Sequence, residues 1–176
     1  MKNLIAPHAS ETLKPLFIND SSEKEAILEQ SKNMPQLLLN SAAAANTVML
    51  GAGYFTPLTG FMDKKDAIGV ANDMLTTDGL FWPVPIINLS KDIGSIKEND
   101  EIALLDPNVD GAPVIATQVV QSIERLSDNE ILNIAEKTFG TVDKNHPGVS
   151  NFLNLGNILI SGPIKVLNYS YFPQDF

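Results

Sequence analysis

The sequence predicts an α+β fold: a small, mainly antiparallel β-barrel decorated with helices. Segments with helical spacing fall mostly in the first half of the chain, and strand-like apolar runs fall mostly in the second. Neither a regular strand–helix alternation nor an internal repeat is visible, which disfavours a doubly wound sheet or a solenoid. With 176 residues, 44% of them hydrophobic and 19% charged, the chain can bury a core of its own.

Three helices are predicted in the first half, each from a capping residue and an apolar stripe that follows it. They are expected over about 22–33, 42–50 and 63–74. Their predicted caps are Ser22, in a capping box with Glu25, then Asn40 or Ser41, and Asp63. Gly51 is expected to end the second helix, because glycine readily takes the left-handed conformation found just after helices.

The second half is predicted to hold four strands, over 84–89, 100–105, 114–123 and 157–167, with a turn at 106–111 between the second and third. The third strand is apolar on both faces, so we expect it to be buried on both. A proline at 163 implies an edge or a bulge in the last strand. Between the last two strands, the capping box Ser127–Glu130 begins a helix that Gly140 closes, and a helical turn is expected near 149–153.

Composition excludes several classes of function. The net charge is −9 and Arg125 is the single arginine, so we expect no nucleic-acid partner, because the phosphate backbone repels an acidic surface. The absence of cysteine excludes disulfides and thiolate chemistry. No apolar run approaches the roughly 20 residues of a membrane span, and no signal peptide is visible. We therefore expect a cytoplasmic protein with no membrane contact.

Two partial motifs lack the context that their chemistry needs. Asp106-x-Asn108-x-Asp110 matches half of an EF-hand loop, but Thr117 stands where a bidentate glutamate is required, so a plain turn is favoured. Gly51-Ala-Gly53 is half of a dinucleotide fingerprint, and a predicted helix precedes it where a strand is needed. Neither motif predicts a cofactor or metal site.

The two histidines, His8 and His146, could together bind a metal or transfer protons if they met in space. Each lies in a turn-like segment near a proline, with no carboxylate cluster beside it, so hydrogen-bonded structural roles are favoured. We therefore expect no catalytic, cofactor-binding or metal-binding residue in this chain.

The most apolar loop follows the second predicted helix. A loop of this composition either packs under its own domain or seats against a neighbouring domain or subunit, and the sequence leaves both interpretations open. Its candidate interface residues are Tyr54, Phe55, Pro57, Leu58, Phe61 and Met62.

Several blocks punctuated by proline and glycine resemble, in order and in approximate spacing, the N-terminal domain of the ATP sulfurylase (sulfate adenylyltransferase) family. The blocks are His8-Ala-Ser-Glu-Thr-Leu-Lys-Pro15, Leu50-Gly-x-Gly53, Phe55-Thr-Pro-Leu-Thr-Gly-Phe-Met62, Phe81-Trp-Pro-Val-Pro-Ile86, Gly140-Thr-x-Asp143-x-x-His-Pro-Gly148 and Gly162-Pro-Ile-Lys-Val-Leu-Asn168. The resemblance implies a PUA-like barrel. It also implies an enzyme that joins sulfate to the α-phosphate of ATP, releasing pyrophosphate, or runs this reaction in reverse.

The resemblance assigns no catalytic residue to this chain. The family's Gln-x-Arg-Asn and His-x-x-His segments, which neutralise charge at the α-phosphorus, belong to the next domain and have no counterpart here. Residues 1–168 resemble the domain, and 169–176 resemble the start of a linker to an absent catalytic domain. Tyr169 and Tyr171 therefore join the predicted domain or subunit interface.

We accordingly expect the 176-residue chain to be inactive alone. Its expected roles are support of folding, docking of the catalytic domain and subunit contacts in a homo-oligomer. The alternative is a free-standing PUA-like binding module, either for RNA, against which the charge weighs, or for protein.

Overall fold

The computed structural model of the chain describes residues 5–172. Within them the helices are α1 (Ser21–Ser31), α2 (Ser41–Gly51), α3 (Lys64–Asp73), α4 (Asp128–Phe139) and α5 (Pro147–Leu153). The strands are β1 (Gln36–Leu38), β2 (Gly60–Phe61), β3 (Leu89–Ser90), β4 (Glu101–Leu105), β5 (Val114–Val119), β6 (Ser122–Arg125) and β7 (Ile158–Val166). One strand pair is parallel and the other registered pairs are antiparallel, so the α+β class and the mainly antiparallel pairing are confirmed.

The chain forms two compact units. Unit 1 contains the described residues up to Gly60, then Glu101–Val119, then the residues from Pro163 onward. In this unit β1 pairs in parallel with β4, β4 pairs with β5, and β5 pairs with the last residues of β7. Helices α1 and α2 contact β5, and the core includes Leu50, Ile102, Leu104, Ile115 and Val166.

Unit 2 contains Phe61–Asp100 and Val120–Gly162. Here β6 pairs with Ile158–Ser161 of β7 and β3 pairs with the first two of these residues, while α4 packs against both α3 and α5. The core of this unit includes Val70, Trp82, Leu126, Ile134 and Leu159.

Strand β7 continues through Pro163, where the sequence predicted an edge or a bulge. It pairs with β6 up to Ser161 and with β5 from Ile164. Pro163 therefore lies between the two paired stretches, where a residue without an N–H group removes no registered ladder bond.

The cap of helix α1 lies two residues earlier than predicted, and the helix begins one residue earlier, at Ser21. Its cap is Asp20, whose Oδ1 accepts a hydrogen bond of 2.8 Å from the backbone N–H of Glu23. The prediction of Ser22 as the cap was wrong, because Asp and Ser cap equally well and the Ser22–Glu25 spacing fits the pattern by coincidence.

Helix α2 is capped by Asn40, one of the two residues predicted as its cap. The prediction that Gly51 ends the helix was wrong. Gly51 lies in the last helical position, and the left-handed residue is Gly53, with φ of 81°. Gly51 is instead required by packing, because a Cβ there would lie 2.8 Å from the Phe17 ring. A close approach of two segments has no local signature in the sequence.

Helices α3 and α4 were predicted correctly, with Asp63 as one cap and the Ser127–Glu130 capping box as the other. The predicted strand over 84–89 was wrong: only Leu89–Ser90 is a strand, since prolines at 83 and 85 interrupt the pairing of the segment before it. The predicted strand over 114–123 is two strands, β5 and β6. They separate at Val120, whose backbone exchanges hydrogen bonds with Asn99 and Asp100.

Candidate interaction surfaces

The predicted interface loop of unit 1 follows α2 and is fixed by an N-terminal arm. The backbone N–H groups of Leu16 and Phe17 both donate to the carbonyl of Gly51, at 2.9 and 3.2 Å. Ile18 N–H donates to Val166 O, and Val166 N–H donates to Leu16 O, each at 2.9 Å. The arm is thus tied both to the end of α2 and to β7.

Thr56 links the loop to the arm. This buried side chain donates from its hydroxyl to Gly53 O at 2.7 Å and accepts from the backbone N–H of Lys14 at 3.0 Å. The bond between Thr56 and Pro57 is cis, and Leu58 N–H donates to Phe55 O at 2.8 Å. The loop is therefore an ordered turn with internal hydrogen bonds.

The predicted interface residues separate into two groups. Tyr54 and Tyr171 are the most exposed, at 58% and 64%, while the others of unit 1 are half-buried. The half-buried residues are Phe55, Pro57, Leu58 and Tyr169. Tyr169 stacks on Phe17 with ring centroids 3.8 Å apart, so one of its faces is used by the arm.

Phe61 and Met62 are placed elsewhere. Both lie in unit 2, each 4% exposed, and Met62 N–H donates to Ile86 O at 2.9 Å. Side chains so deeply buried offer almost no surface to another protein. Of the two interpretations of this apolar run, packing within its own domain is therefore the correct one for Phe61 and Met62. The predicted linker reaches past Phe172, and its residues from Pro173 onward lie outside the described part of the chain.

A second apolar surface, in unit 2, was not predicted. We call it the hairpin surface, and it consists of large side chains that are between 43% and 53% exposed: Met74, Leu75, Phe81 and Val84. A β-bridge joins Leu75 to Phe81, so the segment between them closes on itself. Met74 ends a predicted helix and Val84 begins a predicted strand, so the sequence did not predict that these side chains would be exposed.

Beside the hairpin surface runs an open groove of about 540 Å³, lined by Lys65, Gly69, Asp73, Leu75, Thr76 and Thr77. Gly69 is required here because a Cβ at this position would lie 2.7 Å from the carbonyl oxygen of Leu75. The groove contains one cationic and one anionic side chain, a weak basis for binding a small anion.

His146 has a structural role at the start of α5. His146 caps α5, and its Nδ1 accepts from the backbone N–H of Val149. Its ring also lies 5.7 Å from that of Phe139, measured between centroids. Among residues 5–172, no group of three or more His, Cys, Asp or Glu side chains could hold a metal ion.

The Asp106 segment forms the turn that the sequence favoured. Asp106 Oδ1 accepts from Asn108 N–H at 2.8 Å, and Asp106 N–H donates to Pro113 O at 2.9 Å across the hairpin. Asn108 Oδ1 accepts from the hydroxyl of Ser41 at 2.7 Å. Asp106 Oδ1 is thus used within the turn, and Asn108 Oδ1 is used in a contact between the turn and α2.

A cluster of charged and polar groups lies at the start of α4. Lys64 Nζ lies 2.8 Å from Glu130 Oε1, while Glu130 Oε2 accepts from the backbone N–H of Ser127 at 2.7 Å. The hydrogen bond from Lys64, then that from Ser127, lowers the pKa of Glu130 from 4.5 to about 2. Lys64 Nζ also donates to Arg125 O, so the cluster joins α3 to the end of β6.

Comparison with known proteins identifies the family to which the fold of this chain belongs. The PUA-like domain family matches residues 5–169, and the chain belongs to this family. The hexameric APS kinase from Thiobacillus denitrificans shares the fold over 98% of this chain and 29% of its own, with a TM-score of 0.69 at 21% identity. The PUA-like α+β fold is thereby confirmed.

The particular relatives are sulfate adenylyltransferases. The chain is 51% identical over its whole length to the one from Alcanivorax borkumensis, and 44% identical over 98% of its length to the one from Allochromatium vinosum. It spans 44% of the length of each of these relatives. The resemblance found in the sequence blocks is confirmed. In residues 5–172 no helix combines the length and apolarity needed to cross a membrane.

Proposed function

We propose that this chain is the N-terminal, non-catalytic PUA-like domain of a sulfate adenylyltransferase. In the reaction of a sulfate adenylyltransferase, a sulfate oxygen attacks the α-phosphorus of ATP, pyrophosphate leaves, and adenosine 5′-phosphosulfate forms. The enzyme can also catalyse the reverse reaction. One observation carries the proposal: the chain is 51% identical to such a protein over all of its own length, yet spans only 44% of that protein.

The use of the polar side chains supports a non-catalytic role. Neutralising two reacting anions requires converging cations or backbone donors. Here His146 is occupied as a helix cap, and Lys64 is paired with Glu130. Arg125 Nη1 donates to Asn157 at 3.4 Å on an exposed surface.

The role that remains for this domain is to support the rest of such an enzyme. Two exposed apolar surfaces, the loop of unit 1 with Tyr54 and the hairpin surface of unit 2, suit contacts with the catalytic domain or with other subunits. We place the protein in the cytoplasm, where ATP is available.

The test is sulfate-dependent release of pyrophosphate by the complete gene product, with molybdate as a second oxyanion. We expect turnover that requires both ATP and the oxyanion. A complete product that releases no pyrophosphate with either oxyanion, and does not make ATP from adenosine 5′-phosphosulfate and pyrophosphate, contradicts the proposal.

A further inference from the structure

We propose that the hairpin surface of unit 2 is the docking site for a second domain of the same polypeptide. This inference rests on the proposed function, because it takes the partner to be the remainder of a longer enzyme. It adds the location and the chemistry of the contact, which neither the family match nor the relatives provide.

The hairpin is held by hydrogen bonds of its own backbone. Trp82 N–H donates to Met74 O, Thr76 N–H donates to Leu80 O, and Gly79 N–H donates to Thr76 O, each at 2.9 Å. A surface that is already ordered loses little conformational entropy on binding, which favours association.

Helix α3 holds the hairpin in place. Asp66 Oδ1 accepts from Thr77 N–H at 2.7 Å, and the missing side chain of Gly69 lets the carbonyl of Leu75 approach the helix. Met74, the residue that leaves the helix, has φ of 56° and is 51% exposed. Glycine or asparagine would take this left-handed conformation at lower cost, so the methionine is not explained by local stability.

The size of the surface points to a tethered partner. Four side chains that are each about half exposed offer on the order of a few hundred Å², against roughly 800 Å² per partner in a standard stable interface. A second free copy would therefore bind weakly through this surface. A domain on the same chain docks at an effective concentration of about millimolar, so a small apolar contact is enough.

The charges around the surface define the partner further. Asp73 and Asp78 are exposed on either side of Thr76, and Lys65 is the cation of the adjacent groove. Complementarity therefore predicts an apolar patch on the partner domain with Lys or Arg at its rim.

Thiol labelling tests this contact, because the chain has no cysteine and one introduced by substitution is its only thiol. Phe81→Cys is labelled with a maleimide in the 176-residue chain and in the complete gene product, and the labelled peptide is followed by mass spectrometry. We expect labelling to be at least about tenfold slower in the complete product. Glu25→Cys, on an exposed face of α1, is the matched control and should label at equal rates in both.

Hydroxyl-radical footprinting of unmodified protein provides a second measurement if Phe81→Cys does not fold. Oxidation of Met74 should fall in the complete product, while oxidation of the half-buried Met34 should not change. Equal reactivity of the hairpin surface in both proteins, with pyrophosphate release intact, overturns this inference and leaves the proposed function standing. A dimer of the 176-residue chain that Phe81→Ser makes monomeric also overturns it, since the occupant is then a second copy.

Discussion

At the level of single residues, Gly51 shows that packing can require a glycine inside a helix. Glycine inside a helix normally costs about 1 kcal/mol relative to alanine. At position 51 glycine is nevertheless favoured over alanine, because a Cβ there would lie 2.8 Å from Phe17 and 3.0 Å from Val166. Those neighbours belong to the arm and to β7, which hold the predicted interface loop.

Gly51→Ala should destabilise the protein by about 1–3 kcal/mol, the usual cost of overpacking, despite the better helix propensity of alanine. Urea denaturation of both proteins measures this. In a Phe17→Leu background the added cost should fall, because leucine lacks the ring atoms that clash. A Gly51→Ala variant as stable as the parent would show that the arm does not pack as described.

Glu130 is the residue whose charge contributes to stability in a pH-dependent way. Its folded pKa is about 2, below the ordinary 4.5, so its contribution is complete above about pH 4.5 and is lost as the pH falls towards 2. Glu130→Gln keeps the shape of the capping box and removes the charge that pairs with Lys64.

We expect Glu130→Gln to cost about 1 kcal/mol at pH 7, given the partial solvent screening of this pair. The difference from the parent protein should narrow between pH 4.5 and 2, measured by thermal unfolding across that range. Glu136→Gln, an exposed position on the same helix, should show no such narrowing. A cost for Glu130→Gln that stays constant with pH would assign the effect to packing.

At the level of secondary structure, elements that depend on neighbouring residues were predicted correctly, and elements that depend on distant segments were not. The capping box of α4 and the Asp63 cap of α3 are local patterns, and both helices have the predicted starts. The pairing of β1 with β4 and of β6 with β7 depends on segments far apart in the chain, so β1 was missed and β6 was merged with β5. At 84–89 apolar composition was mistaken for a strand.

The start of α1 allows a direct comparison of two caps. Asp20→Ala should cost about 1 kcal/mol, because the N–H of Glu23 loses its acceptor. Ser22→Ala should change the free energy of unfolding by less than about 0.5 kcal/mol, as is usual for surface positions. Chemical denaturation of the two variants distinguishes the caps. If Ser22→Ala lowers the free energy of unfolding more than Asp20→Ala does, Ser22 is the cap, as the sequence pattern predicted.

At the level of the whole molecule, the sequence indicated the PUA-like class, and its interface residues stay predictions. The loop after α2 was predicted as an interface from its consecutive apolar residues, and its Tyr54 is exposed. Phe61 and Met62 lie in the same apolar run but are buried, since the chain passes into unit 2 at this point. The hairpin surface was missed because its exposed apolar residues come from two short segments that only the fold brings together.

We propose that this chain contributes structure and no reacting group to the reaction of a sulfate adenylyltransferase. The most direct measurement is pyrophosphate release by the purified 176-residue chain at saturating ATP and sulfate, with folding confirmed by circular dichroism. We expect a rate equal to that of buffer alone. Sulfate-dependent turnover by the isolated chain would contradict it.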